Sequence, residues 1–260
     1  MSKIKGKWAL VTGASSGLGV DFATILAEHG CNVVLVARRE DRLKALADTL
    51  EDQHKVETRV IAMDLGTSTA ARALYEKTKA EGLEIDVLIN NAGFGIHADF
   101  METEWERTAQ MLQLNLTTLT ELTYLYTKDM LARDFGFNLL VSSIGGFQPT
   151  PSYAAYAATK SYVLDFGEAL AHELRNTNVG VTVLAPGGTR TEFMDVAGQE
   201  ISGIVNLAMM ESRRCANIGI KAMLKKKPSV VPGLLNKIAT FSVRLAPRRI
   251  VPAIAGFVMK

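Results

Sequence analysis

Short apolar runs alternate along the chain with longer stretches in which apolar residues recur every three or four positions. Runs that are apolar at nearly every position are typical of strands buried on both faces, and the longer stretches are typical of helices packed on them. The pattern predicts strands at 8–11, 32–36, 56–62, 86–89, 138–141 and 179–184, with a short seventh strand at 229–231. It predicts helices at 17–29 and 40–52, and two more after residue 233.

This alternation of strands and helices predicts an α/β fold of the doubly wound (Rossmann) class. We expect a mostly parallel seven-stranded sheet with helices on both faces. No internal repeat or low-complexity linker divides the 260 residues, so 1–260 is interpreted as a single Rossmann-type domain. Within it, 192–228 is predicted to cover a substrate, and 233–260 is predicted to be a basic, helical C-terminal extension.

The composition narrows the class of protein. With 48% hydrophobic and 22% charged residues, the chain is typical of globular proteins, and disordered or fibrous classes are excluded. Two cysteines, Cys31 and Cys215, do not make a disulfide framework and indicate a reducing cytosol. The apolar stretch 250–259 is shorter than the about 20 residues that a membrane-spanning helix needs. We therefore expect a cytoplasmic protein.

The net charge of +2 is unevenly distributed. No Asp or Glu follows Glu211, whereas eleven basic residues do, so the first 211 residues carry a net charge of −9. Three interpretations remain open for this acid-free tail: peripheral contact with an anionic membrane surface, attraction of an acidic carrier or CoA-linked substrate, or a subunit contact with a basic rim. A nucleic-acid partner is not expected, because only Phe241 and Phe257 are available there for base stacking.

A glycine-rich turn follows the first predicted strand and opens the first helix. Its spacing is Gly-x-x-x-Gly-x-Gly, within residues 12–19. Glycines allow a tight turn and let a pyrophosphate approach the amide groups at a helix N-terminus. The alternative is a tight turn without a ligand. The residues predicted to hold a dinucleotide here are Gly13, Ser15, Ser16, Gly17, Leu18 and Gly19.

The end of the second strand bears on cofactor choice. An NAD site would place Asp or Glu here for the ribose hydroxyls, but this chain has Ala37 followed by Arg38 and Arg39. Because guanidinium groups pair well with phosphate, we predict that both arginines bind a 2′-phosphate and that the cofactor is NADP(H). The alternative is that both are solvated residues at the start of a charged helix.

Candidate proton-transfer groups come from tyrosines with a lysine four positions later, on the same helix face. A nearby cation lowers the pKa of tyrosine from about 10 and makes it usable as a general acid or base. Three such pairs occur in the sequence. The pair Tyr156 and Lys160 is favoured because it follows the fifth strand and a small-residue turn, where ligands of α/β sheets bind. The pairs are Tyr75 and Lys79, Tyr124 and Lys128, and Tyr156 and Lys160.

Several motifs resemble those of the short-chain dehydrogenase/reductase family and occur in the same order along the chain. The resemblance covers about residues 5–195. Within this family the chain is similar to NADP(H)-preferring 3-oxoacyl reductases and hydroxysteroid dehydrogenases. The motifs are Thr-Gly-x-x-x-Gly-x-Gly at 12–19, Asp64, Asn90-Asn91-Ala92-Gly93, Asn115, Ser143 thirteen residues before Tyr156, and Pro186-Gly187 with Thr189 and Thr191.

The resemblance implies a role for each of four residues. Tyr156 would protonate the substrate carbonyl, Lys160 would lower the tyrosine pKa and bind the nicotinamide ribose, and Ser143 would hold the substrate oxygen. Asn115 would hold a water that links Lys160 to solvent. No metal is expected, because the tyrosine supplies the proton and the cofactor the hydride. The further cofactor residues that the resemblance implies are Asp64, Leu65, Asn91, Ala92, Gly93, Pro186, Gly187, Thr189 and Thr191.

We therefore expect an NADP(H)-dependent oxidoreductase that interconverts a small-molecule ketone and a secondary alcohol. The apolar, Met-containing segment 193–210 suits an acyl, steroid or isoprenoid substrate, although it also suits helix packing. His97 is interpreted as a loop residue, with a place in the substrate pocket as the alternative. The resemblance implies a homodimer or homotetramer through long helices around 102–134 and 152–175. The alternative function is a non-catalytic NADP-binding regulatory protein.

Overall fold

A computed structural model describes residues 3–189, 192–193, 197–198 and 209–259. Its strands are β1 (Trp8–Thr12), β2 (Asn32–Ala37), β3 (Thr58–Ala62), β4 (Ile85–Asn90), β5 (Gly136–Val141), β6 (Val179–Leu184) and β7 (Ser229–Val230). They form one parallel sheet in the order β3-β2-β1-β4-β5-β6-β7. The prediction of a doubly wound, seven-stranded parallel sheet is confirmed.

Helices cover both faces of this sheet. They are α1 (Gly17–Glu28), α2 (Glu40–His54), α3 (Ala70–Ala80), α4 (Trp105–Leu112), α5 (Leu119–Ala132), α6 (Ala154–Glu173), α7 (Ser212–Leu224), α8 (Leu234–Ser242) and α9 (Val251–Met259). Most boundaries differ from the predicted ones by one or two residues; β3, for example, begins at Thr58 and not at Val56. In the described part of the chain, no helix has both the length and the apolar character that crossing a bilayer requires.

The core explains why the strands are apolar at successive positions. In β2, Val33 and Leu35 join the apolar layer beneath α1, α2 and α7, whereas Val34 and Val36 join the layer beneath α3 and α5. Successive side chains of a strand point to opposite faces, so a strand covered on both sides needs apolar residues at both sets of positions. The sheet is therefore the shared wall of two cores.

Helix α7 belongs to one of these core layers. Its residues Cys215, Ile220 and Met223 are fully buried and pack in the same cluster as the α1 residue Phe22. The segment 192–228, which the sequence predicted to cover a substrate, therefore includes a core helix from Ser212 to Leu224. The helical spacing of its apolar residues fits the sheet face. Most of the remaining part of that segment lies outside the described residues.

A crevice forms where the direction of the winding reverses. From β1 the chain continues to β2 on one side, and from β4 it continues to β5 on the other side. Ligands of doubly wound sheets bind at such a point, beyond the carboxyl ends of the strands. The loops after β1, β2, β4, β5 and β6 meet along this edge in the order of their strands.

Close packing of α6 on the sheet depends on Gly167. A Cβ atom at this position would lie 2.3 Å from Val183 Cγ2 and 3.1 Å from Leu140 Cδ1. No rotamer change of an alanine methyl group can relieve such contacts, so a side chain here would push α6 away from β6. Because α6 also contains Tyr156 and Lys160, this contact sets the height of both residues above the sheet.

We expect Gly167→Ala to lower the free energy of unfolding by about 1–3 kcal/mol, because overpacking outweighs the about 1 kcal/mol by which alanine is favoured over glycine in a helix. Urea unfolding measures the change. The matched variant is Gly167→Ala combined with Val183→Ala, which removes the clashing methyl group. It should cost less than the sum of the two single changes. Strict additivity would contradict the proposed contact.

Candidate active site

A cavity of about 840 Å³ opens at the carboxyl edge of the sheet. The loops that line the cavity follow the order of the strands in the sheet. The loop after β2 lies at one end, the glycine-rich turn after β1 lies next to it, and the loops after β5 and β6 lie at the other end. Basic residues therefore line the β2 side, and Tyr156 and its neighbours line the β5 side. The predicted residues that line the cavity are Gly13, Ser15, Ser16, Gly17, Leu18, Arg38, Arg39, Asp64, Leu65, Asn91, Ala92, Gly93, Ser143, Tyr156, Lys160, Pro186, Gly187 and Thr189.

Two predicted residues do not line the cavity but pack behind it. Gly19 is buried, and a Cβ atom there would lie 2.0 Å from the carbonyl oxygen of Gly13. Asn115 is also buried, behind the loop that follows β4. Thr191 lies outside the described residues.

The glycine-rich turn requires glycine for conformation and for space. Gly13 and Gly17 have φ angles of 69° and 52°, in the left-handed region that favours glycine. Helix α1 begins at Gly17, and the side chain of its N-cap residue Ser16 makes no capping hydrogen bond. Apart from the Gly19 amide, which donates to the Ser16 carbonyl oxygen at 3.2 Å, the first amide groups of α1 therefore remain available to an anion in the cavity.

Asn91 connects this turn to the loop after β4. Its side-chain Nδ2 donates to the carbonyl oxygen of Thr12 at 3.0 Å, and the backbone amides of Asn91 and Ala92 each donate to Thr12 Oγ1 at 3.0 Å. The Asn91 side chain is thus committed to holding two cavity loops together. Sequence reasoning gave Thr12 no role of its own, although the residue lies within the glycine-rich motif.

A cluster of charges borders the β2 side of the cavity. Arg39 donates to Ser15 Oγ at 3.2 Å and to Glu192 Oε2 at 3.0 Å, and Arg42 donates to Glu192 Oε1 at 2.8 Å. These hydrogen bonds from Arg42 and Arg39 lower the pKa of the Glu192 carboxyl group. Arg38 is exposed and lines the cavity. Sequence reasoning missed Arg42 and Glu192, which lie 150 residues apart in the chain.

The acidic residue Asp64 lies on the same side. It is exposed, and its Oδ1 accepts a hydrogen bond from the Gly66 amide at 2.9 Å. Leu65 beside it is buried, and its carbonyl oxygen accepts from Thr118 Oγ1 at 2.8 Å. Asp64 is therefore held by a local hydrogen bond, and Leu65 by a hydrogen bond from the distant residue Thr118.

Asn115 lies in a π-helical turn, Gln113–Thr118, between α4 and α5. The long helix predicted at 102–134 is therefore interrupted, and such turns occur frequently at functional sites. Asn115 Nδ2 donates to the Phe94 carbonyl oxygen at 2.9 Å, and Asn115 Oδ1 accepts from the Phe94 amide at 3.2 Å. A Cβ atom at Gly93 would lie 2.8 Å from Asn115 Oδ1 and 3.6 Å from Lys160 Nζ, so these three residues are close neighbours.

The adjacent serines after β5 point in different directions. Ser142 is buried, and its Oγ donates to the Lys160 carbonyl oxygen at 2.6 Å, which fixes α6 against β5. Ser143 lines the cavity; its Oγ accepts from the Gly145 amide at 3.1 Å and shares a hydrogen bond with the Tyr156 hydroxyl. Of the two serines, Ser143 is therefore the one next to the tyrosine.

Tyr156 and Lys160 meet in a dehydrated environment. Lys160 is 5% exposed, its Nζ donates to the Val141 carbonyl oxygen at 2.8 Å, and the same atom lies 5.7 Å from the centroid of the Tyr156 ring. Burial lowers the pKa of Lys160 to about 8. Burial also raises the pKa of Tyr156, against the lowering effect of the hydrogen bond with Ser143.

The role predicted for Lys160, which is to lower the pKa of Tyr156, stays a prediction. Among the groups of the chain itself, burial has the largest effect on the pKa of Tyr156 and raises it. The physical reason is that a low-dielectric environment disfavours the phenolate and the ammonium alike. The pKa of Tyr156 is therefore raised and that of Lys160 lowered.

The other two Tyr-x-x-x-Lys pairs lie outside the cavity. Tyr75 and Lys79 both donate to Asp129 Oδ2, at 3.0 and 3.1 Å. Tyr124 is exposed on α5, with Lys128 Nζ 6.0 Å from its ring centroid. The spacing alone therefore does not distinguish the three pairs, whereas the position after β5 does.

Aromatic rings line the cavity beyond Tyr156. The Tyr156 ring centroid lies 5.5 Å from that of Tyr153 and 5.6 Å from that of Phe193. Gly95 lies against all three rings, since a Cβ atom there would be 3.1–3.3 Å from each. His97 does not line the cavity, but its ring packs 4.9 Å from that of Tyr153. Tyr153 could have been found from the sequence, because it lies three positions before Tyr156.

The C-terminal helices supply the outer wall of the cavity. This contribution was not predicted, because 233–260 was interpreted as a basic, helical extension and none of its residues was assigned to the cavity. Its lining residues are Leu235, Asn236, Ala239, Ser242, Val243, Ala246, Val251, Ile254 and Ala255. Helix α8 is held in place by a close approach, since a Cβ atom at Gly187 would lie 2.4 Å from Asn236 Nδ2.

Helix α4 and the π-helical turn after it also contribute residues that sequence reasoning missed. Arg107, Gln110 and Leu114 line the cavity, and the Arg107 guanidinium lies 4.2 Å from the centroid of the Phe94 ring. Their spacing of three and four positions places them on one face of a helix, and this spacing is a signal that could have identified them.

Comparison with known proteins identifies the family. The family model described as short chain dehydrogenase matches residues 7–202, which is more than half of the chain. The matched range contains the glycine-rich turn, Asn115, Ser143, Tyr156 and Lys160. The chain therefore belongs to the short-chain dehydrogenase family of nicotinamide-dependent oxidoreductases, which confirms the resemblance inferred from the ordered motifs.

Several relatives are similar over long stretches. A very-long-chain 3-oxoacyl-CoA reductase of Phaeosphaeria nodorum is 35% identical over 68% of this chain and 53% of its own length, so the chain spans about half the length of that relative. A solved 7beta-hydroxysteroid dehydrogenase is 27% identical, with a TM-score of 0.88 over 97% of this chain and 98% of that chain. A short-chain dehydrogenase from Sphingobium yanoikuyae in complex with NADPH is 30% identical, with a TM-score of 0.82 over 92% and 94%.

The lowered pKa of Lys160 predicts a pH dependence of stability. Between about pH 8 and pH 10.5 the unfolded chain still binds the lysine proton that the folded chain has lost, so stability rises with pH. We expect the free energy of unfolding of the wild type, minus that of Lys160→Met, to increase from about pH 7.5 to about pH 9.5. Guanidinium chloride unfolding at a series of pH values measures it. A constant or falling difference would show that Lys160 keeps its ordinary pKa in the folded protein.

Proposed function

We propose that the protein is an NADP(H)-dependent oxidoreductase that interconverts a ketone and a secondary alcohol. The observation that supports this most is the group formed by Ser143, Tyr156 and Lys160. The two hydroxyl groups share a hydrogen bond at the cavity lining, and the buried lysine lies beside the tyrosine ring. Such an arrangement presents a proton donor and a hydrogen-bond donor to one substrate oxygen.

The residues of the cavity fit a phosphorylated dinucleotide. The N-terminus of α1 offers free amide groups for a pyrophosphate, and Arg38, Arg39 and Arg42 offer guanidinium groups for a 2′-phosphate. When bound, such a cofactor supplies or accepts the hydride at its nicotinamide ring. The NADPH complex of the Sphingobium yanoikuyae relative supports this choice of cofactor. Thr189 lines the opposite side of the cavity, where a nicotinamide amide group would find a hydroxyl partner.

Tyr156 is proposed as the group that gives a proton to the substrate carbonyl oxygen. Tyrosine, whose pKa is ordinarily about 10, keeps its proton near neutral pH, and burial shifts the pKa of Tyr156 further upward. Ser143 would orient the same oxygen through its hydroxyl. Lys160, whose pKa is lowered to about 8, can accept or release a proton near neutral pH and so restore the tyrosine. Asn115 positions this group indirectly, by holding Phe94 and thereby Gly93 next to Lys160.

The substrate is proposed to be a bulky apolar ketone of the acyl, steroid or isoprenoid type. Beyond Tyr156 the cavity is lined by the rings of Tyr153 and Phe193 and by aliphatic residues of α8 and α9. Such a lining favours a substrate with a large apolar body and few polar groups. The relatives named as a 3-oxoacyl-CoA reductase and a 7beta-hydroxysteroid dehydrogenase support the same class.

Assembly into a homodimer or homotetramer remains a proposal, for which two helices offer a surface. Tyr124 and Leu131 on α5, and Tyr162 on α6, are exposed, although apolar and aromatic residues favour burial. Tyr162 already contacts α5 through a hydrogen bond with Thr120 at 3.0 Å. These two helices therefore form one continuous face that suits a second subunit.

The first test compares Tyr156→Phe with Tyr153→Phe. NADPH oxidation is followed with 3-oxoacyl thioesters, steroid ketones and aryl ketones. We expect Tyr156→Phe to lower kcat by about 10²–10⁴-fold, because the proton donor is lost, and Tyr153→Phe to stay within about tenfold of the wild type. Equal losses in both variants would indicate damage to packing. Unchanged turnover in Tyr156→Phe would refute the proposed proton donor, and tight NADPH binding without turnover of any ketone would favour a regulatory role.

The second test concerns the choice of cofactor. We expect Arg39→Ala to weaken NADPH binding by about 10–100-fold and NADH binding by less than about threefold, since only NADPH has the 2′-phosphate. Glu192→Gln should tighten NADPH binding by a few-fold, because Arg39 and Arg42 no longer pair with a carboxylate. Fluorescence titration measures both affinities. Equal effects on NADPH and NADH, or preference of the wild type for NADH, would exclude this phosphate site.

A further inference from the structure

Helix α8 has its polar and apolar sides reversed. Its buried residues are Asn236 and Thr240, whereas Leu234 and Phe241 are 74% and 60% exposed. A helix at the surface of a globular protein normally turns its apolar residues toward the core. The outer side of α8 is therefore built for contact with an apolar phase and not with water.

The apolar outer side continues past α8 to the end of the described chain. Leu245 is 75% exposed, and Phe257 on α9 is 82% exposed. We call the whole set the C-terminal surface. Its exposed apolar residues are Leu234, Leu235, Ile238, Phe241, Leu245, Ile250, Ile254 and Phe257, and its exposed cations are Lys237, Arg244, Arg248 and Arg249.

The charge of the C-terminal surface has a single sign. No acidic residue follows Glu211 in the sequence. Within the described part of the chain, none of its four cations forms an ion pair with a carboxylate. Long basic side chains can cover apolar surface with their aliphatic stems and reach an anionic layer with their charged ends. Apolar residues interleaved with unpaired cations match the boundary between lipid headgroups and acyl chains.

The C-terminal surface is continuous with the wall of the cavity. Leu235 and Ile254 are exposed at this surface and also line the cavity. Ala239, Val251 and Ala255 of the same two helices form the wall behind them. Apolar side chains thus connect this surface to the cavity, and an apolar molecule that leaves a lipid phase here can follow them.

We propose that the C-terminal surface docks on an anionic lipid bilayer. Symmetric pairing of this surface with a second copy of the chain would bring Lys237, Arg244 and their neighbours against like charges, which is unfavourable. The chain has another exposed apolar face for self-association, around Tyr124 and Tyr162. An anionic bilayer instead attracts the cations and accepts the leucine and phenylalanine side chains.

The test is co-sedimentation of the full chain with phosphatidylglycerol–phosphatidylcholine vesicles and with phosphatidylcholine vesicles. We expect the wild type to bind the anionic vesicles at least about tenfold more tightly than the neutral ones. Lys237→Glu with Arg244→Glu should lower the partition coefficient on anionic vesicles at least about tenfold. Leu234→Gln with Phe241→Gln should lower it similarly, because the insertion of two apolar side chains is lost.

Two matched variants separate docking from general effects. Lys225→Glu with Lys227→Glu makes the same change in net charge next to the start of β7. The Thr182 hydroxyl of β6 donates there to the backbone carbonyl oxygen of Lys227, which the substitution keeps. Met101→Gln removes another highly exposed apolar side chain. Both should bind vesicles like the wild type, and circular dichroism checks that every variant is folded.

Two outcomes would overturn the proposal. One is equal sedimentation of the wild type and the Lys237/Arg244 and Leu234/Phe241 variants. The other is that the wild type does not bind vesicles, whereas light scattering shows a changed oligomer mass in those variants. That result would identify the C-terminal surface as a subunit interface. Both outcomes are independent of the oxidoreductase assay, since vesicle binding is measured without substrate.

Discussion

The burial of Lys160 is the constraint around which the site is arranged. Its ammonium group is removed from water and donates to the carbonyl oxygen at the end of β5. A buried charge is costly unless its surroundings compensate for it, so the pKa of this lysine is lowered to about 8. Ser142 fixes the Lys160 backbone, and Gly167 sets the height of α6 on the sheet. The same burial raises the pKa of Tyr156, and so one packing arrangement shifts the pKa of both groups.

The sequence alone was sufficient for the fold and for the cavity residues that directly follow the strands, because both depend on local patterns. Strands such as β2 are apolar at consecutive positions since each face of the sheet has its own core. Parallel strands end at one edge, so residues that directly follow β1, β2, β4, β5 and β6 must meet there. Arg38, Asn91 and Ser143 each follow a strand, and this is why their presence at the cavity could be predicted.

Features that depend on tertiary contacts could not be predicted. The hydrogen bond from Arg42 to Glu192 joins residues that lie 150 positions apart in the chain. No local sequence pattern around either residue predicts this contact. The π-helical turn at Asn115 lies in a continuous helical pattern, and the protein places it where the Phe94 backbone accepts and donates hydrogen bonds. The rise in the pKa of Tyr156 depends on how deeply α6 is buried, which no local sequence pattern shows.

Helix α8 shows how function can override the usual pattern of burial. Its apolar residues would suggest that Leu234 and Phe241 face the core, but Asn236 occupies the inner position, where its Nδ2 donates to the Pro232 carbonyl oxygen at 2.8 Å. That hydrogen bond satisfies the buried amide and leaves the leucines outside. Exposing them to water opposes folding, and this penalty is removed when another apolar phase covers them. Since α8 also forms a wall of the cavity, whatever covers its outer side also controls the path by which an apolar substrate arrives.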